Sequence, residues 1–246
     1  MEQGNLYILP AEDDPRGDPK DRMHLVVSLA YPQNDLITLA YCSTKGFEAG
    51  QGADHVVVRR SSATFSITGL SEETYIYPSR LVTEEVLRLG RPIGKVIDEM
   101  PAVRQAVRSA VGIGSGTAHT PGRASGSLRG QILLLGSMLR EQLQTRYALV
   151  TSNPIYARQE RYLNIIPLYD ADEFEPVPVD IISPSGAWAE GLALPRQLLF
   201  CVSAICSCFM PRATHVEALL GRVIPESLMA TVDESLLRHF FEESDR

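Results

Sequence analysis

Two short stretches in the first half of the chain carry residue types that can bind the oxygens of a phosphate group. The first, DRMHLVVS, contains Arg22 and His24 beside a β-branched run. The second, DLITLAYCSTKG, ends in Ser43, Thr44 and Lys45. A guanidinium can pair with two oxygens, a hydroxyl can hydrogen-bond another, and an ammonium adds positive potential. These side chains form a candidate phosphate site if the fold brings the two stretches together.

The same residues also have an ordinary structural interpretation. Asp18 and Asp21 precede Arg22 and could pair with it on a solvated loop, which is what the residues alone favour. His24 could act as a base at neutral pH, or it could be a hydrogen-bonded histidine within a strand. We favour the strand histidine over the base.

The second half of the chain repeats the arginine but not the hydroxyls. Arg146 precedes the run ALVTS, as Arg22 precedes LVVS. The position that matches Ser43 is Tyr169, and an acidic run from Asp170 follows it. This run would repel a phosphate placed against it, whereas on a solvated loop it would not affect a site. A magnesium site in the run is a weaker alternative, because it would need further ligands from elsewhere.

Both halves show the same order of patterns. Each opens with a strand-like apolar run and continues with further short strands. Each closes with glycine, a basic residue, Val and Ile, followed by apolar residues at helical spacing. The two apolar stripes are Met100, Val103, Val107, Val111 and Met229, Val232, Leu236, Phe240. Several strands followed by one helix in each half predict two small barrels.

A stretch rich in glycine and serine divides these halves. The segment GIGSGTAHTPGRASGSLRG contains almost nothing apolar, so it cannot contribute to a core and is expected to be flexible. We therefore predict a first domain over residues 1–112, a linker over 113–129 and a second domain over 130–246.

Composition excludes several classes of protein. The 246 residues are 44% hydrophobic, which excludes a disordered chain, and the net charge of −7 with no strongly basic block argues against a protein that coats duplex DNA. We see neither a signal peptide nor an apolar run of the ~18–20 residues that a membrane span needs, so the expected location is the cytoplasm. The four cysteines lack metal-site spacing and are expected to be small buried hydrophobes.

The ordered series of motifs resembles the PemK/MazF family of toxin–antitoxin ribonuclease toxins. The first half resembles the family from Gly4 to Gly112, and the second half from Gly130 to about Glu242. The resemblance implies a β-rich α+β fold: two tandem SH3-like barrels of the PemK/MazF type, each with a C-terminal helix. Family members act as homodimers with RNA in the groove between subunits. The chain would then be a single-chain pseudo-dimer whose second half has diverged.

The resemblance also implies an activity, which is cleavage of single-stranded RNA without a metal ion or cofactor. The family's catalytic arginine falls at Arg22, followed by Met23 where proline is usual, and its catalytic hydroxyl falls at Ser43, with Thr44 beside it. Lys45, His24 and Arg146 are expected to contact the substrate. The implied partners are RNA and an antitoxin protein, with no membrane. The alternative is an inactive module of the same fold that binds nucleic acid or an antitoxin.

Overall fold

The computed structural model describes residues 1–10, 21–30, 35–46, 55–113, 128–153, 162–210 and 213–241. Most of the predicted linker, residues 114–127, lies outside the described residues. Two antiparallel sheets dominate the described chain, one built from residues before this linker and one from residues after it.

The first sheet has six strands in the order β4-β5-β3-β2-β1-β6. Its elements are β1 (Asn5–Leu9), β2 (Arg22–Val26), β3 (Leu36–Ser43), β4 (Val56–Val58), β5 (Thr74–Glu85), β6 (Gly94–Lys95) and then helix α1 (Met100–Ala110). Pro101 suits the first turn of α1, and Gly112 ends the helix with a left-handed φ of +81°. The left-handed φ favours glycine at this position, and any larger residue would also have to displace the Arg129 guanidinium.

The second sheet has seven strands, with β10-β11-β9-β8-β7-β13 in order and β12 also paired with β9. Its elements are β7 (Gln131–Leu135), α2 (Ser137–Leu143), β8 (Tyr147–Val150), β9 (Tyr162–Asp170), β10 (Ile181–Pro184), β11 (Gln197–Phe200), β12 (Cys206–Phe209), β13 (Val216–Val223) and α3 (Glu226–Phe240). Helix α2 was not among the elements predicted from the sequence.

One continuous core contains side chains from both sheets and both long helices. The predicted stripes form the buried faces of α1 and α3, so both predicted helices are confirmed. Each fully buried valine or leucine of such a stripe contributes roughly 1.5–3 kcal/mol of hydrophobic stabilisation. The described chain is therefore a β-rich α+β structure with two curled sheets.

The two sheets contain corresponding hydrogen bonds. In the first sheet the Val27 N–H donates to Thr38 O over 3.0 Å, and in the second the Thr151 N–H donates to Asn164 O over 2.9 Å. The backbone N–H of Thr38 also donates to the hydroxyl of Ser28, and that of Asn164 donates to Ser152. An equivalent hydrogen bond to a serine hydroxyl therefore fixes the chain just after β2 and just after β8.

Each long helix ends against the opposite half. At the end of α1, Ala110 O accepts a hydrogen bond of 3.1 Å from the Asn153 N–H beyond β8. At the end of α3, His239 O accepts one of 2.9 Å from the Leu29 N–H beyond β2. The His239 ring is fully buried, and its Nε2 lies 2.9 Å from Thr38 Oγ1 on β3. The contact between halves therefore includes polar groups that are completely removed from water.

Arg129 joins three elements at the same junction. Its guanidinium donates to the carbonyls of Val111 and Thr151 and pairs with the carboxylate of Asp233 on α3. The arginine is buried, and burial lowers its pKa while the Asp233 charge opposes that change. The Arg129 guanidinium thus links the end of α1, the residues after β8 and the middle of α3. No helix among the described residues is long and apolar enough to span a membrane.

Stability is expected to depend on pH through His239. Burial lowers the pKa of His239 to about 3, so the unfolded chain binds a proton there below pH ~6.5 while the folded chain does not until about pH 3. The free energy of unfolding should therefore fall as the pH decreases across that window. Urea titrations at pH 7 and pH 5 should show that the wild type loses about 2 kcal/mol more than His239→Gln. Equal losses in the two proteins would contradict a neutral, buried imidazole.

Candidate active site

Residues at the beginning of β2 and at the end of β3 line a pocket of about 470 Å³ at the rim of the first sheet. Its lining consists of Ile8, Asp21, Arg22, Met23, Tyr41, Cys42, Ser43, Thr44 and Lys45. Four of the side chains that the sequence singled out, Arg22, Ser43, Thr44 and Lys45, therefore lie around one cavity. We call it the hydroxyl pocket.

Strand register accounts for this meeting. His24 on β2 pairs with Tyr41 on β3 in an antiparallel ladder. Arg22 lies two residues before His24 and Ser43 two residues after Tyr41, so the antiparallel register places them opposite each other on the same face. The arginine and the hydroxyl thus leave neighbouring strands side by side, although 20 residues separate them in the sequence.

The turn after β3 orients the hydroxyl. The Lys45 backbone N–H donates to Ser43 Oγ over 3.1 Å, which leaves the hydroxyl proton to bind a ligand oxygen. The Tyr77 hydroxyl donates to Lys45 O over 3.1 Å and ties the turn to β5. Thr44 and Lys45 are exposed and Ser43 is partly exposed, so all three can be reached from solvent.

The charges around the hydroxyl pocket favour an anion. Arg22 and Lys45 contribute two positive charges to the lining, and Asp21 contributes one negative charge. Apolar side chains, Ile8 and Met23, form part of the wall. Because a guanidinium supplies several donors in one plane, Arg22 is suited to the oxygens of a phosphate.

His24 does not line the hydroxyl pocket. Its side chain is fully buried beneath it, with Nδ1 3.1 Å from Arg22 O and the ring edge-on to Tyr41 at 5.8 Å. This position agrees with a strand histidine that supports the neighbouring residues.

The matching position in the second sheet is filled by a side chain. Arg146 lies just before β8, as Arg22 lies at the start of β2. Its side chain is exposed, and its guanidinium carbon lies 5.9 Å from the centroid of the Tyr147 ring. Tyr169 stands where β3 has Ser43, and its hydroxyl donates to Leu143 O at the end of α2 over 2.7 Å. Burial raises the pKa of Tyr169, so the hydroxyl stays protonated in this contact.

The acidic run after Tyr169 forms an exposed turn, in which the Asp172 N–H donates to the Asp170 carboxylate over 3.1 Å. The described residues contain no group of three or more His, Cys, Asp or Glu side chains arranged to hold a metal ion. All four cysteines are free thiols, and burial raises the pKa of both Cys201 and Cys206 to about 12.

Sequence reasoning missed Asp21, Tyr41 and Tyr77 as components of the site. Tyr41 lies two residues before Ser43 on the same face of β3, so strand alternation could have placed it beside the hydroxyl. Tyr77 comes from β5, whose pairing with β3 leaves no signal in a single sequence.

The chain matches no known family model and no curated protein sequence. Among solved structures it is similar to the Mycobacterium tuberculosis toxin MazF-mt6, with 20% identity and a TM-score of 0.32, over 42% of this chain and 92% of that chain. It is also similar to an endoribonuclease in complex with its cognate antitoxin from mycobacterial species, with 14% identity and a TM-score of 0.33, over 46% of this chain and 95% of that chain.

Tyr169 and Ser43 should respond differently to truncation, although they hold matching strand positions. Tyr169→Ala removes a packed ring and a hydrogen bond and should cost about 3 kcal/mol of folding stability. Ser43→Ala removes a hydroxyl at a solvent-accessible turn and should cost less than about 1 kcal/mol. Urea denaturation of both variants measures the difference, and equal costs would refute the distinction between a filled and an open position.

Proposed function

We propose that this chain is a toxin-type endoribonuclease that cleaves single-stranded RNA at the hydroxyl pocket without a metal ion. The observation that carries the proposal is the grouping of Arg22, Ser43, Thr44 and Lys45 around one cavity, since the sequence resemblance assigns the catalytic roles to the first three. The expected location is the cytoplasm, where RNA is present.

In the proposed reaction the ribose 2′-oxygen attacks the adjacent phosphorus and the bond from phosphorus to the 5′-oxygen breaks. The products are a 2′,3′-cyclic phosphate and a free 5′-hydroxyl. The 2′-hydroxyl proton passes to the Asp21 carboxylate, the acidic group of the pocket lining, and the leaving oxygen receives a proton from Arg22 or from water. Arg22 also stabilises the charge that develops on the non-bridging oxygens.

The remaining polar side chains bind the substrate in this proposal. The Ser43 hydroxyl, fixed by the Lys45 N–H, donates to a non-bridging oxygen, and Thr44 supplies a second hydroxyl. The Lys45 ammonium raises the local concentration of phosphate groups. Arg146 and Tyr169 lie apart from this pocket, so the second half contributes binding surface rather than a second cleavage site.

The proposal includes a single-chain pseudo-dimer with domains at 1–112 and 130–246 and a linker at 113–129. Its support is the corresponding hydrogen bonds of the two sheets and the reciprocal contacts of α1 and α3. The two ends of this linker, Ile113 and Arg129, are buried. The stretch of about 15 residues between them would span roughly 20 Å if flexible, and tethering gives an effective concentration of about 1 mM. An antitoxin that covers the hydroxyl pocket is the expected protein partner.

Cleavage of a long single-stranded RNA in EDTA tests the proposal. Arg22→Ala should lower the cleavage rate about 100- to 1000-fold, because the developing phosphate charge loses its main partner. Arg146→Ala is the matched control: the same residue type at the matching place in the second half should affect RNA affinity but not the cleavage step. Electrophoresis and end-group analysis of the products should show cyclic phosphates.

The possible outcomes separate the candidate functions. Cleavage that Arg146→Ala abolishes and Arg22→Ala preserves would place the reaction in the second half. Cleavage that requires added magnesium would refute the metal-independent mechanism. RNA binding without cleavage by the folded wild type would favour the inactive binding module.

A further inference from the structure

A column of stacked side chains connects the second sheet to the turn that carries the hydroxyls. The guanidinium carbon of Arg80, on β5, lies 4.8 Å from the centroid of the Tyr77 ring and 4.7 Å from that of the Tyr162 ring. Tyr77 belongs to the first sheet and Tyr162 begins β9 of the second. Arg80 is therefore held between aromatic rings from both halves. We call Tyr162, Arg80 and Tyr77 the Arg80 column.

The Tyr77 end of the column is part of the hydroxyl pocket's support. The Tyr77 ring is only 2% exposed and stacks on Tyr41, which lines the pocket, with centroids 5.8 Å apart. Its hydroxyl donates to Lys45 O, which belongs to the same turn as Ser43. A displacement of Tyr77 would therefore move the turn whose Lys45 N–H orients the Ser43 hydroxyl.

A bulge in β5 brings Arg80 to the second half. Ala40 pairs with Leu81, but the next residue of β3, Tyr41, pairs with Tyr77, so the residues between them leave the ladder. β12 of the second sheet holds the flanks of this bulge: the Leu81 N–H donates to Ser207 Oγ over 2.6 Å, and that oxygen lies 3.0 Å from Ser79 O. The position of Arg80 thus depends on the second half through backbone as well as ring contacts.

The second sheet has no equivalent of the column. Pro167 takes the place of Tyr41 in the register, and Cys201, whose N–H donates to Pro167 O, takes the place of Tyr77. Where the first sheet has Arg80, the second has the short 3₁₀ turn Val202–Ala204. Among the residues that the structure describes, the column therefore lies beside the pocket that contains the hydroxyls and has no counterpart at the matching place in the second sheet.

We propose that Tyr162 and Arg80 are positioning residues, through which the second half holds the hydroxyl turn of the first half in its working geometry. The inference rests on the proposed function for its catalytic consequence, but its structural part is independent of that function. Neither residue touches the reacting phosphate in this scheme. Their effect on the pocket is transmitted through Tyr77 and the Lys45 carbonyl, and through Tyr41, whose ring centroid lies 5.9 Å from the guanidinium carbon of Arg80.

The test combines a structural and a kinetic measurement on the full chain. Tyr162→Ala removes one face of the guanidinium stack, Tyr162→Phe keeps it, and Arg80→Lys keeps the charge but removes the planar group. Phe174→Ala is the matched control, since it removes an aromatic ring of the second half that packs on Tyr169 instead. Backbone ¹⁵N relaxation reports the order of Ser43–Lys45 in each folded variant.

The proposal expects Tyr162→Ala and Arg80→Lys to lower the amide order parameters of Ser43–Lys45 and to reduce kcat about 2- to 30-fold, with little change in KM. Tyr162→Phe and Phe174→Ala should resemble the wild type in both measurements. Unchanged order parameters in folded Tyr162→Ala and Arg80→Lys would overturn the proposal. A salt-dependent rise in KM for Arg80→Lys, with unchanged order parameters of Ser43–Lys45, would also overturn the proposal, because Arg80 would then act as an RNA contact.

Failure of the proposed function gives a different pattern. If the wild type cleaves no RNA, the kinetic comparison disappears, but the relaxation measurement still decides whether the column orders the turn. Lower order parameters of Ser43–Lys45 in Tyr162→Ala would then support a role of the Arg80 column in shaping a binding pocket. A turn that does not respond would overturn the inference whatever the activity.

Discussion

The C-terminal ends of the two long helices are the constraint on which the rest of the structure depends. The last carbonyls of an α-helix have no partner within the helix and need donors from elsewhere. Ala110 O on α1 obtains its donor from Asn153 beyond β8, and His239 O on α3 obtains its donor from Leu29 beyond β2. Because each helix is completed by the opposite half, separation would break these hydrogen bonds and expose a core that both halves share.

The two halves differ at the matching strand position, which is occupied by Ser43 in the first sheet and by Tyr169 in the second. At the rim of the first sheet, the small side chain of Ser43 lines an open pocket together with Arg22 and Lys45. At the matching place in the second sheet, Tyr169 fills the space and donates to the end of α2. One strand position thus serves a candidate reaction in one half and packing in the other.

Periodicity and strand order allowed part of this structure to be predicted. Spacings of three and four gave the buried faces of α1 and α3, because helix periodicity is a local property of the sequence. The meeting of Arg22 with Ser43 was a condition that the sequence left open, and in the structure the pairing of β2 with β3 brings the two residues to one pocket. The sandwich of Arg80 between rings could not be predicted, because it depends on a bulge in β5 and on a residue of β9 far along the chain. Helix α2 was missed because its seven residues, of which Leu139 alone is buried, carry too little apolar periodicity to indicate a helix.

The single-chain pseudo-dimer that we propose would give a physical reason for this asymmetry. In a symmetric dimer of identical subunits any residue that supports one pocket is present at both, so neither pocket can lose its chemistry without the other. In one chain, Tyr162 can be selected for its contact with Arg80 while the second half replaces Tyr41 and Tyr77 by Pro167 and Cys201. The second half then acts on the first as a support: its strand β12 holds the bulge, and its tyrosine holds the guanidinium. Under this proposal, Tyr169 at the position of Ser43 and the Arg80 column beside the hydroxyl pocket both follow from the freedom of the two halves to differ.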